Sequence, residues 1–393
     1  MTPAWLQSRT VRKFVRNRLA LGALLVISVY LIVALAILCR AITLDQTEQR
    51  VGPGSSPGFL GGKTPETRLQ DQVLYLETVE QALRQQNPQQ ALAETTFGNL
   101  RFARHPAAEL DQLVQHGWLL YKQLVTRDNL NNDPALVTEV ERFEKHVGQL
   151  FQPMSTWERI GQRWLLLLGT DRQGRSILQR AIYSVKVALQ IGLVTALISV
   201  ACGSFLGAAA AFYGGVVDHA VIWLYSTLSS IPNLVLLVLL AYLFTGTTVE
   251  DTHPLIPVYA AFCLTYWIGP CRVVRGETLK IKELEYIQAA TTVGFSRFYI
   301  LLRHILPNTA HLILVNFSLL FIGAVKSEVI LSYLGLGVKH GPSWGIMISH
   351  AKSEVVNGFF WQIGTATAFM FVLVLAFNIL TDALQDAFDP KHL

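Results

Sequence analysis

The sequence predicts an all-α membrane protein, with six transmembrane helices and a helical extracytoplasmic insertion. Three observations point there. Only 15% of the 393 residues are charged and 51% are hydrophobic, whereas soluble domains carry about 25% charge. Mean hydropathy is +0.38. Apolar stretches able to cross a bilayer recur at 19–39, 187–213, 220–245, 255–271, 311–331 and 363–381.

The first stretch, Leu19 to Cys39, is uncharged and as a helix reaches roughly 31 Å, the thickness of the hydrocarbon core. It is long for a signal peptide's apolar region, and no A-x-A site follows. Ala36-Ile37-Leu38-Cys39 is only an echo of a lipobox, because Leu38 stands where a small residue is wanted. Residues 1–18 carry Arg9, Arg12, Lys13, Arg16 and Arg18 and no acid, which holds this tail in the cytoplasm. Six crossings return the C-terminus to the same side. The 272–303 loop is then cytoplasmic, with six Lys/Arg against three acids, and the 246–256 loop, with Glu250 and Asp251, faces outward. Arg172, Arg175, Arg180 and Lys186 fall outside by this count, against the rule, and parity with the later loops decides.

Residues 45–165 form the insertion. A Gly/Pro/Ser segment, Val51 to Gly58, opens it. Helical stripes follow: Val73, Leu76, Val79, Leu83; then Leu110, Leu113, Val114, Trp118, Tyr121, Leu124, Val125; then Val137, Val140, Phe143, Val147, Leu150 behind an Asp133-Pro134 start. Acids outnumber Lys and Arg here, which predicts a solvated body, and each stripe reads as core. Gly61-Gly62-Lys63-Thr64 imitates the end of a P-loop, but Gly58 is one residue too near and no strand precedes it, so nucleotide binding is rejected.

In the second span Gly203-x-x-x-Gly207 with Ala208 to Ala211 predicts close helix packing. Pro232 should kink the third. Lys326 and Glu328 near the end of the fifth admit two readings: polar residues in a pathway, or side chains snorkelling to the outer interface, the simpler of the two. Cys39, Cys202, Cys263 and Cys271 lie in or beside apolar spans without a CxxC partner, so neither a disulfide framework nor a zinc site is indicated. The net charge of +5 sits at membrane edges, which argues against nucleic acid as a partner.

Residues 285–308 carry the most information. Glu285 and Tyr286 are followed by Gln288, the small pair Ala289-Ala290, Gly294 four residues on, and Leu306-Pro307 at the close. Two alanines make a helix face thin enough to enter a groove, and Gly294 can adopt the positive φ that ends a helix. This run resembles the EAA loop of ABC importer permeases, in which a short helix docks in a groove of a cytoplasmic ATPase. The family's acidic position is Gln288 here. Before the second span, Leu168-Gly169-Thr170-Asp171-Arg172-Gln173-Gly174-Arg175-Ser176 is similar to the LGTDxxGRD signature of the dipeptide, oligopeptide and nickel permeases of the "C" type, with Ser176 in place of the last acid. Further fragments keep the family's order: Tyr213-Gly214-Gly215-Val216-Val217-Asp218, Arg303 to Asn308, Leu334-Gly335-Leu336-Gly337, Ser343-Trp344-Gly345, and Asp386-Ala387-Phe388-Asp389-Pro390.

The resemblance implies a type I ABC importer core, methionine-permease-like, over 168–390, in a bacterial cytoplasmic (inner) membrane with both termini inside. It implies a second permease subunit completing a heterodimer, two cytoplasmic ATPase subunits, an extracytoplasmic solute-binding protein, and surrounding lipid. Coupling would run through Glu285, Gln288, Ala289, Ala290, Gly294, Leu306 and Pro307. The family motif would lie on Gly169, Thr170, Asp171, Gly174 and Arg175. The chain would be no enzyme and hold no cofactor, ATP and magnesium being bound by the partner subunits. Peptides, nickel chelates and other small polar solutes share this scaffold. An ion-coupled secondary transporter would want internal repeats and mid-membrane charge, and a membrane-anchored sensor would leave 285–308 without a role.

Overall fold

The structure is a computed structural model that describes residues 17–49, 51, 54–55, 69–70, 72–74, 76–77, 80, 107–126, 134–149, 156–244, 255–339 and 341–388. Most of the basic tail, the P-loop look-alike at 61–64, Val79, Leu83, Asp133, Glu250, Asp251 and the closing Asp389-Pro390 lie outside the described residues. So do the side chains of Leu124, Val125, Val137 and Leu150. The chain divides into two units, one of residues 1–41, 183–349 and 367–393, the other of 42–182 and 350–366.

Helix α1 (Arg18–Leu38) is the first span, and the side chain of Asn17 caps it by accepting from the backbone of Leu19 and Ala20. A short helix α2 (Leu44–Glu48) follows behind a Thr43–Gln46 capping box. The insertion contributes α3 (Ala107–Thr126), α4 (Pro134–Gln149) and α5 (Thr156–Leu165). Its core joins Leu69, Val73 and Leu76 to Leu110, Leu113, Val114 and Leu120 of α3 and to Leu136, Val140, Phe143 and Val147 of α4. These include the buried members of the stripes, so the 3–4 spacing read there is core, as expected. Gly117 makes the packing possible: a Cβ at that position would run into Val73 and Phe143.

The other unit holds most of the membrane helices. Helix α6 (Ile177–Tyr213) is the second span. α7 (Gly215–Ser229) and α8 (Asn233–Phe244) are bent by 89° to one another. The break falls at Ser230 to Pro232, as Pro232 predicted. Then come α9 (Ile256–Tyr266), α10 (Ile268–Ile281), α11 (Glu285–Thr292), α12 (Arg297–Ile300), a π turn at Leu301–Ile305, and α13 (Leu306–Asn308). α14 (Ala310–Tyr333), α15 (Trp344–Val356) and α16 (Trp361–Phe388) complete the chain. Among the described residues α1, α6, α14 and α16 are long and apolar enough to cross a membrane, with α7 and α8 a fifth crossing if taken as one. The fourth expected stretch, 255–271, is divided at Trp267 into α9 and α10, each short for a crossing by itself.

Small residues set the packing. A Cβ at Gly203 would strike the carbonyl of Trp267, and one at Gly207 the carbonyl of Cys271. The two glycines therefore let α6 lie against the junction of α9 and α10, backbone to backbone. Val187 and Ile191 of α6, Leu237 and Ala241 of α8, Val258, Ala261 and Phe262 of α9, and Ala324 and Leu331 of α14 form the core. Tyr30 of α1 donates to the carbonyl of Phe369 on α16 (2.9 Å).

Lys326 and Glu328 part company. Lys326 is exposed, in keeping with snorkelling, but Glu328 is buried, accepting a hydrogen bond from Ser332 Oγ (2.6 Å), while Ser332 Oγ accepts from the amide of Val338 (3.1 Å). The interface reading fails for Glu328 because the fold supplies it with hydroxyl donors, Ser343 included. The fragments at 334–337 and 343–345 fold around this group: a Cβ at Gly337 or Gly345 would collide with Ser332.

Candidate functional site

The loop between α10 and α14 is built on a helix that ends where the sequence required it to end. α11 closes at Gly294 with φ +92°. The Gly294 amide donates to the carbonyl of Thr291 (3.1 Å) and the Phe295 amide to that of Ala290 (3.2 Å). These are the paired bonds of a Schellman cap. Ser296 then caps α12 by accepting from the amide of Tyr299 (3.2 Å). In the π turn that follows, the Leu306 amide reaches the carbonyl of Leu301, five residues back. Pro307, next in the chain, has no N–H for the carbonyl of Arg303.

One face of this loop is anchored and the other is presented. Ile287 of α11, Ile300 of α12, and Leu301 and Ile305 of the π turn pack with Val274 and Ile281 of α10 and Ala208 of α6. Ala290 and Leu306 pack partly into the same cluster. Glu285, Gln288, Ala289, Gly294 and Pro307 are exposed, and with them Tyr286, Val293, Phe295, Phe298, Tyr299 and Leu302. Phe295 stacks on Tyr299 with ring centroids 5.3 Å apart, and Asn308 donates to the hydroxyl of Tyr286 (2.6 Å), tying the start of α11 to the end of the loop. Gln288 Nε2 donates to the carbonyl of Glu283 (3.1 Å), a bond that the family's carboxylate could not make. The seven residues singled out from the sequence thus share one loop, two packed inward and five outward. What it offers is contact surface with an apolar majority, shaped by aromatics.

The motif at 169–176 is a second construction, in the other unit. Gly169 and Gly174 both adopt positive φ, +83° and +80°. Between them Asp171 Oδ1 accepts from the amides of Gln173 (3.0 Å) and Arg175 (2.9 Å), while Oδ2 accepts from Arg175 Nε (2.7 Å). Thr170 and Ser176 form a bridge. Ser176 caps α6 by accepting from the amide of Gln179 (3.3 Å) and donates to the carbonyl of Leu165 (2.5 Å). A serine replaces the family's acid without loss of the cap, since both side chains accept from the first turn.

This loop grips the segment that follows the first span. Glu48 bonds Arg175 Nη1 with one carboxylate oxygen and Arg180 Nη1 (2.6 Å) with the other. The amide of Val51 donates to the carbonyl of Gly174 (2.8 Å) and that of Ser55 to the carbonyl of Asp171 (2.8 Å). A Cβ at Gly54 would press on the carbonyl of Arg172. At these positions the Gly/Pro/Ser segment is a docked stretch, and its composition answers to close approach. Arg175 and Arg180, awkward for the charge rule, are neutralised by Glu48 and Asp171. Glu354 of α15 is buried beside the same loop. Burial pushes its carboxyl up to about 7, against the lowering effect of a hydrogen bond from the Arg172 backbone.

Comparison with known proteins follows the same lines. Residues 203–392 match the family described as binding-protein-dependent transport system inner membrane component. The chain is 34% identical over 227 residues to the dipeptide transport system permease protein DppC of Bacillus subtilis (strain 168), covering 57% of this chain and 68% of that one. The chain belongs to the peptide-permease family of ABC importers. It is also 34% identical over 226 residues to the oligopeptide transport system permease protein OppC of Haemophilus influenzae (57% of this chain, 70% of that one). To the glutathione transport system permease protein GsiD of Pectobacterium atrosepticum it is 32% identical over 225 residues (57% and 72%). It is a helical, multi-pass membrane permease of that family.

Two ion pairs in the permease escaped the sequence reading. Glu48 and Arg180 lie 132 positions apart and meet only in the fold. Arg275 binds Asp218, itself part of a motif, with two hydrogen bonds. Their signal, a charge at the end of an apolar stretch, is shared with every membrane-edge residue.

Proposed function

We propose that this chain is the permease subunit of an ATP-binding-cassette importer, forming half of a translocation pathway for peptides or a similar small polar solute. The exposed face of α11 docks a cytoplasmic ATPase subunit. The observation that carries the reading is the division of the 285–308 loop. Ile287, Ile300 and Leu301 bind it to α6 and α10, while Ala289 and the aromatic rim stay exposed. A force applied to α11 therefore reaches the span helices through packed side chains.

A second permease subunit supplies the other wall, two ATPases bind ATP and magnesium, and an extracytoplasmic receptor delivers solute. The relatives' names, which cite dipeptides, oligopeptides and glutathione, support a peptide-like cargo. The 45–165 insertion serves as a docking platform for that receptor, and both termini face the cytoplasm.

Copurification tests the reading. The intact chain should bring down ATPase subunits from solubilised membranes, and Ala289→Trp, which thickens the exposed helix face, should abolish their recovery while the chain still inserts. Equal recovery with the tryptophan variant would remove α11 from the interface. Single cysteines at Gln115 and Val293, in a background lacking the native four, test orientation. An impermeant thiol reagent should label the first and spare the second in intact cells, and the reverse pattern would overturn it.

A further inference from the structure

Among the described membrane helices α7 stands apart, because it has no buried residue. Val216 is 85% exposed and Trp223 69%. In lipid such a helix gains nothing by apolar contact with a neighbour, since hydrocarbon tails serve its side chains equally well. Its position must then be fixed by polar contacts. Among the described residues three are present, all to α10. Asp218 accepts two parallel hydrogen bonds from Arg275, Nε to Oδ1 (2.6 Å) and Nη2 to Oδ2 (2.7 Å). Arg272 Nη2 donates to Ser229 Oγ (2.5 Å), and the Arg272 guanidinium lies over the ring of Tyr225, 4.7 Å from its centroid. Asp218, Tyr225 and Ser229, seven and four residues apart, share one helical face. Arg272 and Arg275, three apart, are neighbours on α10.

α10 is in turn part of the block that carries the coupling helix, its Val274 and Ile281 packing with Ile287 of α11. We propose that Arg272 and Arg275 are positioning residues: they clip α7 to α10, so that displacement of α11 is handed to the first half of the broken third span. The inference rests on the coupling role given to α11 above. The clip suits a moving part. A bidentate guanidinium–carboxylate pair fixes orientation as well as distance, and it leaves the other faces of α7 uncommitted within this chain. The bend at Ser230 to Pro232 supplies the hinge on the other side.

Spin labels on the full complex test this. One pair, Val216→Cys and Lys280→Cys, reports α7 against α10, and the other, Lys280→Cys and Gln385→Cys, reports α10 against α16. Both are measured without nucleotide and with ATP plus vanadate, native cysteines replaced. The expected result is a 280–385 distance that changes with nucleotide and a 216–280 distance that does not. In Asp218→Asn the 216–280 distribution should broaden and become nucleotide-dependent. The swap Asp218→Arg with Arg275→Asp should restore it, which separates loss of the clip from loss of folding. An α7 that parts from α10 in the wild-type background, or an Asp218→Asn variant that keeps the narrow distribution, overturns the clip. A 280–385 distance that stays fixed sinks the coupling role of α11, and the inference with it.

Discussion

Replacing Gly294 separates the geometry of the turn proposed to couple to the ATPase from the stability of the protein. Its φ of +92° belongs to a region that L-residues enter at a cost, about 1–2 kcal/mol for an ordinary side chain and up to about 3 kcal/mol for a β-branched one. No atom lies within 4 Å of where a Cβ would stand, so the whole penalty is in the backbone. The chain can escape it only by giving up the two capping bonds from Gly294 and Phe295, exposed bonds worth about 1 kcal/mol each. For Gly294→Val the two routes cost about the same, near 2 kcal/mol, so the preference for the native turn over the opened one falls roughly 30-fold, to about even. The flanks are held independently by Ile287, Ile300 and Leu301, so the fold survives. Asn tolerates the left-handed region, Ala less and Val least, which ranks three variants. In purified complexes, receptor-stimulated ATP hydrolysis should fall in the order Asn, Ala, Val while yield and basal hydrolysis hold. A valine variant with wild-type stimulation would refute the turn's role. An asparagine variant as poor as valine would show that the ATPase rejects any side chain there, whatever its φ preference.

Gly207→Leu should be far more damaging to folding. Its side chain meets the backbone of Cys271 and forces α6 from α10, a cost of several kcal/mol, read as loss of folded protein in detergent; normal yield would show that the helices can separate freely. Glu354 gives a pH test. With its folded pKa of about 7 raised above the ordinary 4.5, stability is fully present below pH 4.5 and declines as pH rises to about 7, by at most about 3 kcal/mol. Glu354→Gln should flatten that decline, so its unfolding temperature exceeds wild type at pH 8 and matches it near pH 4.5; parallel pH curves would refute the assignment. Replacing 59–160 with a short Gly/Ser linker, leaving Glu48 and Ser55 on the motif loop, should preserve basal ATP hydrolysis and lower the response to loaded receptor. An undiminished response would make the insertion a passive cap.

The sequence alone determined what depends on local chemistry. Apolar runs specify membrane helices because lipid leaves the backbone no other partner. Pro232 marks a break because it lacks an N–H. Gly294 marks the turn because only glycine enters positive φ cheaply, and the order of motifs carried the family. In the insertion the stripe residues Val73, Leu76, Leu110, Leu113, Val114, Val140, Phe143 and Val147 are core, since a helix repeats every 3.6 residues, while Leu69, Leu120 and Leu136 join that core from outside the stripes. The tertiary structure decided what depends on distance between residues far apart in the chain. Gly117, an apparent weak point in α3, is a packing device against Val73 and Phe143. Glu328 is a buried group because Ser332 and Ser343 reach it. Glu48 with Arg180, and Asp218 with Arg275, are pairs only in three dimensions. A charge near a membrane edge reads the same in sequence whether it meets water, a lipid headgroup or another side chain. Only the fold chooses its partner, because the choice turns on a few ångströms between helices that sequence spacing does not encode.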